Sequence, residues 1–393
     1  MIDPLLPTYA RAPLSFVRGE GTWLFTDDGS RYLDLASGIA VNVLGHAHPA
    51  LVAALNRQAG ELWHTSNLYQ IPAQKALAER LIELTFADTA FFTNSGTEAL
   101  ELAVKMVRRH FFTAGQPERI EVLSFTGAFH GRSAAAIAAA GSEKLTHGFH
   151  PLLPGFRQLP FGDHDALRAA VNERTAAILV EPVQGEGGIR ALPPACLRGL
   201  RELCDEHGLL LVFDEVQCGV GRTGKLFAHE WADIAPDILM VAKGIGGGFP
   251  LGAVLATEHA AACMTVGSHG STYGGNPLGC AVGLAVLDIV GRAEFLSEVR
   301  RKGELLRDGL ERLVEAFPQV LAGVRGNGLM LGLHCRAPNT EVVRAGYAAG
   351  VLTVRASDNV VRVLPPLNIS DQEIAQALER LTVAMNEVSS GSE

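Results

Sequence analysis

Two uninterrupted apolar runs, Leu209–Phe213 and Ile238–Ala242, most restrict the fold open to this chain. Each is short, lacks polar alternation, and reads as a strand covered on both faces. Such strands belong to sheets held between helix layers, and helical patterns separate them here. Glu98–Phe112 sets Ala99, Leu102, Ala103, Met106 and His110 on one face. Pro193-Pro194 opens a second helix carrying Leu197, Leu200, Leu203 and Cys204, and Gly208 closes it. Ala90–Thr93, Ile120–Phe125 and Ala177–Val180 add strands. Strands interleaved with helices predict an α/β fold around a large, mostly parallel sheet.

The flanks read differently. Thr22–Phe25 and Arg31–Leu35 form a hairpin around Asp27-Asp28-Gly29. Beyond Pro277, Phe295, Leu296, Val299, Leu306, Leu310, Leu313 and Phe317 mark a long amphipathic helix. Leu352–Val354 and Val360–Leu364 flank Ser357-Asp358-Asn359 as a second hairpin, predicting a smaller α+β domain. The expected division is residues 1–50 packing with the small domain, 51–280 as the large domain, and 281–393 as the small domain. Ser389–Glu393 reads as a frayed tail.

Composition excludes several function classes. With 48% hydrophobic and 19% charged residues the chain has a large core and is not disordered. A net charge of −9 and 6% aromatic residues argue against a nucleic acid or an anionic membrane as partner. The least charged long window, Ile238–Thr257, is broken by Lys243, a glycine cluster and Pro250, a poor membrane span. Met1–Phe16 lacks a basic segment followed by an apolar one, so no signal peptide is expected. Six cysteines without a C-x-x-C pair are expected to be reduced thiols in the cytoplasm.

The chemistry gathers at the carboxyl ends of the apolar strands, where α/β sheets present their sites. Thr93-Asn94-Ser95-Gly96-Thr97, between a strand and a helix, suits either a phosphate or a simple helix cap. Asp214 follows Leu209–Phe213, and a carboxylate there needs a partner, structural or functional. Lys243 follows Ile238–Ala242; it either snorkels outward or, desolvated, becomes a nucleophilic amine. Together, a phosphate cradle, a carboxylate and an amine are what pyridoxal 5′-phosphate requires. The lysine attaches the cofactor covalently and the carboxylate keeps its ring nitrogen protonated. Two decoys fall away. Gly219–Lys225 satisfies G-x-x-x-x-G-K, but Leu226 stands where a nucleotide-binding loop needs Ser or Thr. His46 and His48 lack further ligands, so no metal is expected.

The motifs Asn94–Ala99, Phe129-His130-Gly131-Arg132, Glu181–Gly188, Asp214–Gln217, Gly221–Gly224 and Ala242-Lys243-Gly244, in this order, resemble the class III (ω-amino) pyridoxal-phosphate aminotransferases. The similarity runs from Gly21-Thr22-Trp23 to Leu364-Pro365-Pro366-Leu367. It implies a PLP-dependent transferase of fold type I, and a homodimer with shared active sites. It implies that Ser95, Gly96 and Thr97 bind the phosphate and that Thr272 reaches the phosphate held by the other subunit. Phe129 would stack on the ring beside His130, Asp214 would pair with the ring nitrogen, Gln217 would approach the ring hydroxyl, and Lys243 would attach the cofactor.

The same resemblance assigns the substrates' binding. Arg132 matches the arginine that grips a carboxylate remote from the reacting carbon, a task suited to a guanidinium fork. Arg362 matches a second arginine and Glu186 its partner. That pair would mask the positive charge for an ω-amino donor and open for the carboxylate of a 2-oxo acid. Ser271 belongs to the substrate set, and Asn67 and Tyr69 would set the room beyond Arg132. Segments His64–Tyr69 and Gly270–Pro277 are most similar to members acting on N2-acetylornithine with 2-oxoglutarate. Succinyldiaminopimelate, succinylornithine, ornithine and 4-aminobutyrate stay open as donors. Departures are small: Ser133 stands where Thr is frequent, and Asn327 where Lys is.

Overall fold

A computed structural model describes residues 4–390; the first three residues and the last three of the expected tail lie outside it. The chain opens with an antiparallel meander, β1 (Phe16–Glu20), β2 (Trp23–Thr26) and β3 (Arg31–Asp34), turning at Asp27-Asp28-Gly29 as expected. Then come β4 (Thr89–Thr93), β5 (Glu121–Phe125), β6 (Phe156–Leu159) and β7 (Thr175–Val180). The short pair β8 (Val183–Gln184) and β9 (Arg190–Ala191) makes a separate hairpin. β10 (Leu210–Asp214), β11 (Ile238–Val241) and β12 (Gly252–Ala256) complete the central strands.

Those seven strands form one sheet in the order β4-β12-β11-β10-β7-β5-β6. All pairings from β11 to β6 are parallel, and β12 runs antiparallel to both β11 and β4. Every residue of β7, β10, β11 and β12 is buried, as a sheet covered on both faces requires. The covering helices follow the apolar periodicity. Gly96–Thr113 buries Ala99, Leu102, Ala103 and Met106, and Pro194–His207 buries Leu197, Leu200, Leu203 and Cys204 before ending at Gly208. β12 escaped the sequence pattern, because Gly252–Ala256 continues the low-charge stretch begun by β11.

The C-terminal part carries the long helix Ala293–Ala316 and an antiparallel sheet of β13 (Leu321–Asn327), β14 (Met330–Cys335), β16 (Val354–Ala356) and β17 (Val360–Val363). Between β14 and β16 lies β15 (Val351–Leu352), which pairs in parallel with β3. The expected arm Leu352–Val354 is therefore two strands in two sheets. Backbone bonds from Leu33 N to Gly350 O and from Leu35 N to Leu352 O, both 2.9 Å, draw the first of them away. Ser389 and Ser390 belong to the helix Asp371–Ser390, not to a frayed tail, and Gln319 Nε2 donates to Ser389 Oγ at 2.7 Å. No helix among the described residues is long and apolar enough to cross a membrane, and all six cysteines are free.

Candidate active site

The carboxyl ends of β7, β10 and β11 open into a cavity of about 350 Å³, walled on one side by the start of the helix Gly96–Thr113. Asp214, the last residue of β10, is only 4% exposed. Its Oδ2 lies 2.7 Å from His130 Nδ1, and its Oδ1 accepts from Val216 N at 3.0 Å. Burial alone would lower the pKa of His130; the hydrogen bond and charge of Asp214 outweigh it and raise the imidazole above its ordinary value. His130 Nε2 is buried without a partner, as is Gln217 Oε1.

Lys243 begins a tight helical turn, Lys243–Gly246, with φ of +50°, and its side chain lines the cavity. Burial lowers its pKa, the Arg362 charge adds to the drop, and Asp214 and Glu181 oppose it. An amine so placed is closer to its neutral, nucleophilic form than a surface lysine.

The cradle is built on the Gly96–Thr113 helix. Ser95 caps it, accepting from Glu98 N at 3.3 Å, and Gly96 and Thr97, whose N–H groups have no partner within the helix, line the cavity. A Cβ at Gly96 would come within 2.9 Å of both methyls of Val216, on the opposite lip. Thr97 Oγ1 accepts from Arg132 N at 3.2 Å and Ser133 N at 3.3 Å, tying the Gly131–Ser133 loop to the helix start. Gly131 has φ of +122°, and a side chain there would overlap Thr97 Oγ1.

The other expected residues fall into three groups. Phe129, His130, Glu186 and Gln217 line the cavity with Ser95, Gly96, Thr97, Asp214 and Lys243. Arg362, on β17, is 1% exposed; its Nη2 lies 2.8 Å from Glu186 Oε1 and donates to Arg355 O at 3.0 Å, while Nε and Nη1 have no partner. Arg132 is exposed and is not part of the cavity wall, its Cζ 5.8 Å from the centre of the Phe129 ring, which is.

Asn67, Ser271, Thr272 and Tyr69 are not brought into this cavity wall. Asn67 Nδ2 instead donates to Ser271 O and Gly274 O, both at 3.0 Å, and Ser271 Oγ accepts from Asn94 Nδ2 at 3.4 Å. Thr272 and Tyr69 are exposed. Sequence reading passed over Glu181, which lines the cavity one residue beyond β7. The signal was available: it follows a fully buried run, as Asp214 ends one.

Both decoys have structural duties. Arg222, inside the Gly219–Lys225 loop, is 1% exposed and donates to the carbonyls of Leu329 and Pro365, packing the loop against the C-terminal strands. His46 pairs with Asp34 at 2.8 Å, and His48 caps the helix Pro49–Ala59.

The model of the class-III aminotransferases matches residues 7–385, and the chain belongs to that family. It is 67% identical to the acetylornithine aminotransferase of Rhodobacter capsulatus, over 98% of each chain. Among solved structures it resembles the N-acetylornithine aminotransferase of Stenotrophomonas maltophilia, with 39% identity, a TM-score of 0.86 and 98% of both chains covered. The ornithine aminotransferase of Toxoplasma gondii superposes with a TM-score of 0.95 at 30% identity, covering 99% of this chain and 94% of that one. Backbone likeness thus spans members with different donors.

Class III aminotransferases use pyridoxal 5′-phosphate, and the residues here fit it. The cradle N–H groups suit the phosphate. The unpartnered His130 Nε2 and Gln217 Oε1 are polar atoms awaiting a ligand, and Lys243 and Asp214 supply the amine and the carboxylate.

Proposed function

We propose that the chain transaminates N2-acetylornithine with 2-oxoglutarate, giving N-acetylglutamate 5-semialdehyde and glutamate in arginine biosynthesis. The observation that carries this reading is the meeting of Lys243, Asp214 and the Ser95–Thr97 cradle in one cavity, in a chain so close to a named acetylornithine aminotransferase. Ser95, Gly96 and Thr97 would hold the cofactor phosphate, Phe129 would cover the ring face, Asp214 would keep a proton on the ring nitrogen, and Gln217 would meet the ring hydroxyl. When bound, pyridoxal 5′-phosphate supplies the electron sink that stabilises a carbanion at the amine-bearing carbon.

Lys243 Nζ would hold the cofactor covalently and, when free, would take the proton from the substrate carbon as base and return it as acid to the cofactor carbon it had been joined to. Its lowered pKa leaves it able to accept that proton. Arg132 grips the donor's carboxylate remote from the reacting carbon. The Arg362–Glu186 pair stays closed for the ω-amino donor, whose reacting carbon bears no carboxylate, and opens when a 2-oxo acid brings one. Ser271, with Asn67 and Tyr69, bounds the space for the acyl group.

The enzyme is a homodimer in which Thr272 reaches the partner's phosphate. Tyr273, next to Thr272, and Leu68 and Tyr69, which follow the Asn67 that bonds to Ser271 O, are exposed large side chains, which supports a second copy there. The cytoplasm is its compartment, and the divisions at residues 50 and 280 separate its domains.

Borohydride trapping followed by peptide mapping tests the chemistry. The label is expected on Lys243, and Lys243→Ala should lose both label and turnover; label elsewhere, or none, refutes the assignment. Initial rates on N2-acetylornithine, succinyldiaminopimelate and ornithine test the donor, and a preference for free ornithine refutes the substrate.

A further inference from the structure

Glu181 is 6% exposed, lines the same cavity as Asp214 and Lys243, and has no part in the proposed reaction. Its Oε2 accepts one hydrogen bond, from Phe129 N at 3.0 Å. The surrounding charges are already matched: His130 with Asp214 at 2.7 Å, and Arg362 with Glu186 at 2.8 Å. Lys243 also faces it, but among the described residues no ion pair joins the two. An ionised Glu181 would therefore be an unpaired buried anion one strand away from Asp214, which sits badly with burial and with its neighbour's charge.

We propose that Glu181 positions Phe129 and His130 against the cofactor ring, and does so as a neutral carboxylic acid, leaving Asp214 the only anion at the ring nitrogen. The inference rests on the pyridoxal-phosphate reading above. The geometry accounts for each half. The bond to Phe129 N fixes the backbone at the residue whose ring covers the cofactor and whose successor reaches Asp214. A neutral acid accepts that bond through its carbonyl oxygen, so no charge is needed to hold the segment. A second anion near Asp214 would pull on the His130 charge that Asp214 holds and raise the cost of keeping Asp214 ionised.

The titration of the site agrees. Burial pushes the Glu181 carboxyl up to about 8; His130 and Lys243 pull it down, Asp214 raises it further, and the Phe129 N–H lowers it. The groups facing it are thus His130 beyond β5, Asp214 on β10 and Lys243 beyond β11. Cys218 is a further titratable neighbour, a buried thiol kept protonated chiefly by burial and by Glu215, and Glu186 lines the same cavity. A carboxyl with its pKa raised is neutral below that value and ionises above it, so its influence on the cofactor must change near pH 8.

The test compares cofactor-loaded wild type, Glu181→Gln and Glu181→Ala by visible absorbance of the bound cofactor against pH, by cofactor affinity and by kcat and KM. Gln copies the neutral acid. Its spectrum should superpose on wild type at about pH 6 and diverge through the range around pH 8, because the Gln variant has no carboxyl there to ionise. Glu181→Ala should differ at every pH, lose about ten-fold or more in kcat, and bind the cofactor less tightly; Gln should recover most of that loss. Melting temperatures confirm that both variants fold. A wild-type-to-Gln difference already complete at about pH 6, no difference up to about pH 9, or equal behaviour of Gln and Ala overturns the proposal. Absence of borohydride label on Lys243 would instead sink the pyridoxal-phosphate reading, so the two failures are distinguishable.

Discussion

Glu186→Ala separates the two half-reactions. In the folded protein Arg362 is 1% exposed and Glu186 is 36% exposed, with 2.8 Å between Nη2 and Oε1. A hydrogen bond between charged groups contributes about 1.5–3 kcal/mol, and partial exposure of the carboxylate places this one near about 1.5 kcal/mol. Truncation leaves a buried guanidinium whose Nε and Nη1 already lack partners and whose remaining contact is Arg355 O. For the ω-amino donor the unmasked charge is then uncompensated, so kcat/KM should fall about ten-fold. For glutamate the carboxylate no longer has to displace Glu186, so the same free energy is returned and kcat/KM should hold or rise by up to about ten-fold. The assay is single-turnover absorbance with each donor separately. The ratio of the two rate constants should move by about ten- to a hundred-fold. A common factor in both half-reactions would show that the pair is only a structural bridge.

Gly96→Ala should weaken cofactor binding about ten-fold, because its Cβ meets both Val216 methyls at 2.9 Å. Val216→Ala in the same chain should restore part of the affinity by equilibrium dialysis, and strictly additive losses would contradict the steric reading. In the cofactor-free protein, Lys243→Met should raise the melting temperature at neutral pH. A lysine whose folded pKa is lowered opposes folding while it is charged, and that cost fades as pH climbs from its folded value toward 10.5. Calorimetry should show the difference shrinking on that side, and a pH-independent difference would refute burial as its cause. Arg132→Ala should raise KM for the acylated donor about ten-fold while changing stability by less than about 0.5 kcal/mol, since the side chain is exposed. Chemical denaturation alongside steady-state kinetics checks both halves.

How much of this was written in the sequence depends on the range of the forces involved. β10 and β11 are legible because burial on both faces leaves an uninterrupted apolar run, and a charged residue at its end is conspicuous against it. The Gly96–Thr113 helix shows its cap and its apolar face locally. β12 and β15 are not legible in the same way. β12 turns back against its close neighbour β11 within one low-charge stretch, so no break in pattern marks it, and β15 is set by pairing with β3, far away in the chain. In the site, the same rule that exposed Asp214 applied equally to Glu181, whose preceding strand β7 is buried throughout. Phe129 illustrates the opposite limit. Nothing local distinguishes a ring that lines a cavity from one that fills a core, and the family resemblance alone assigned it a face. Asn67 and Tyr69 were expected at the substrate, yet Asn67 spends its amide bracing the 271–274 turn.

The pairing of Leu33 with Val351 and of Asp34 with Leu352 joins segments more than three hundred residues apart. During synthesis the amino-terminal meander leaves the ribosome long before its companion has been translated. Closing so long a loop costs entropy that the shorter hairpins of the meander do not, so this pairing is the one least favoured until the rest of the fold holds the two segments together. Until it forms, one edge of that meander is an open strand, available to any other nascent chain.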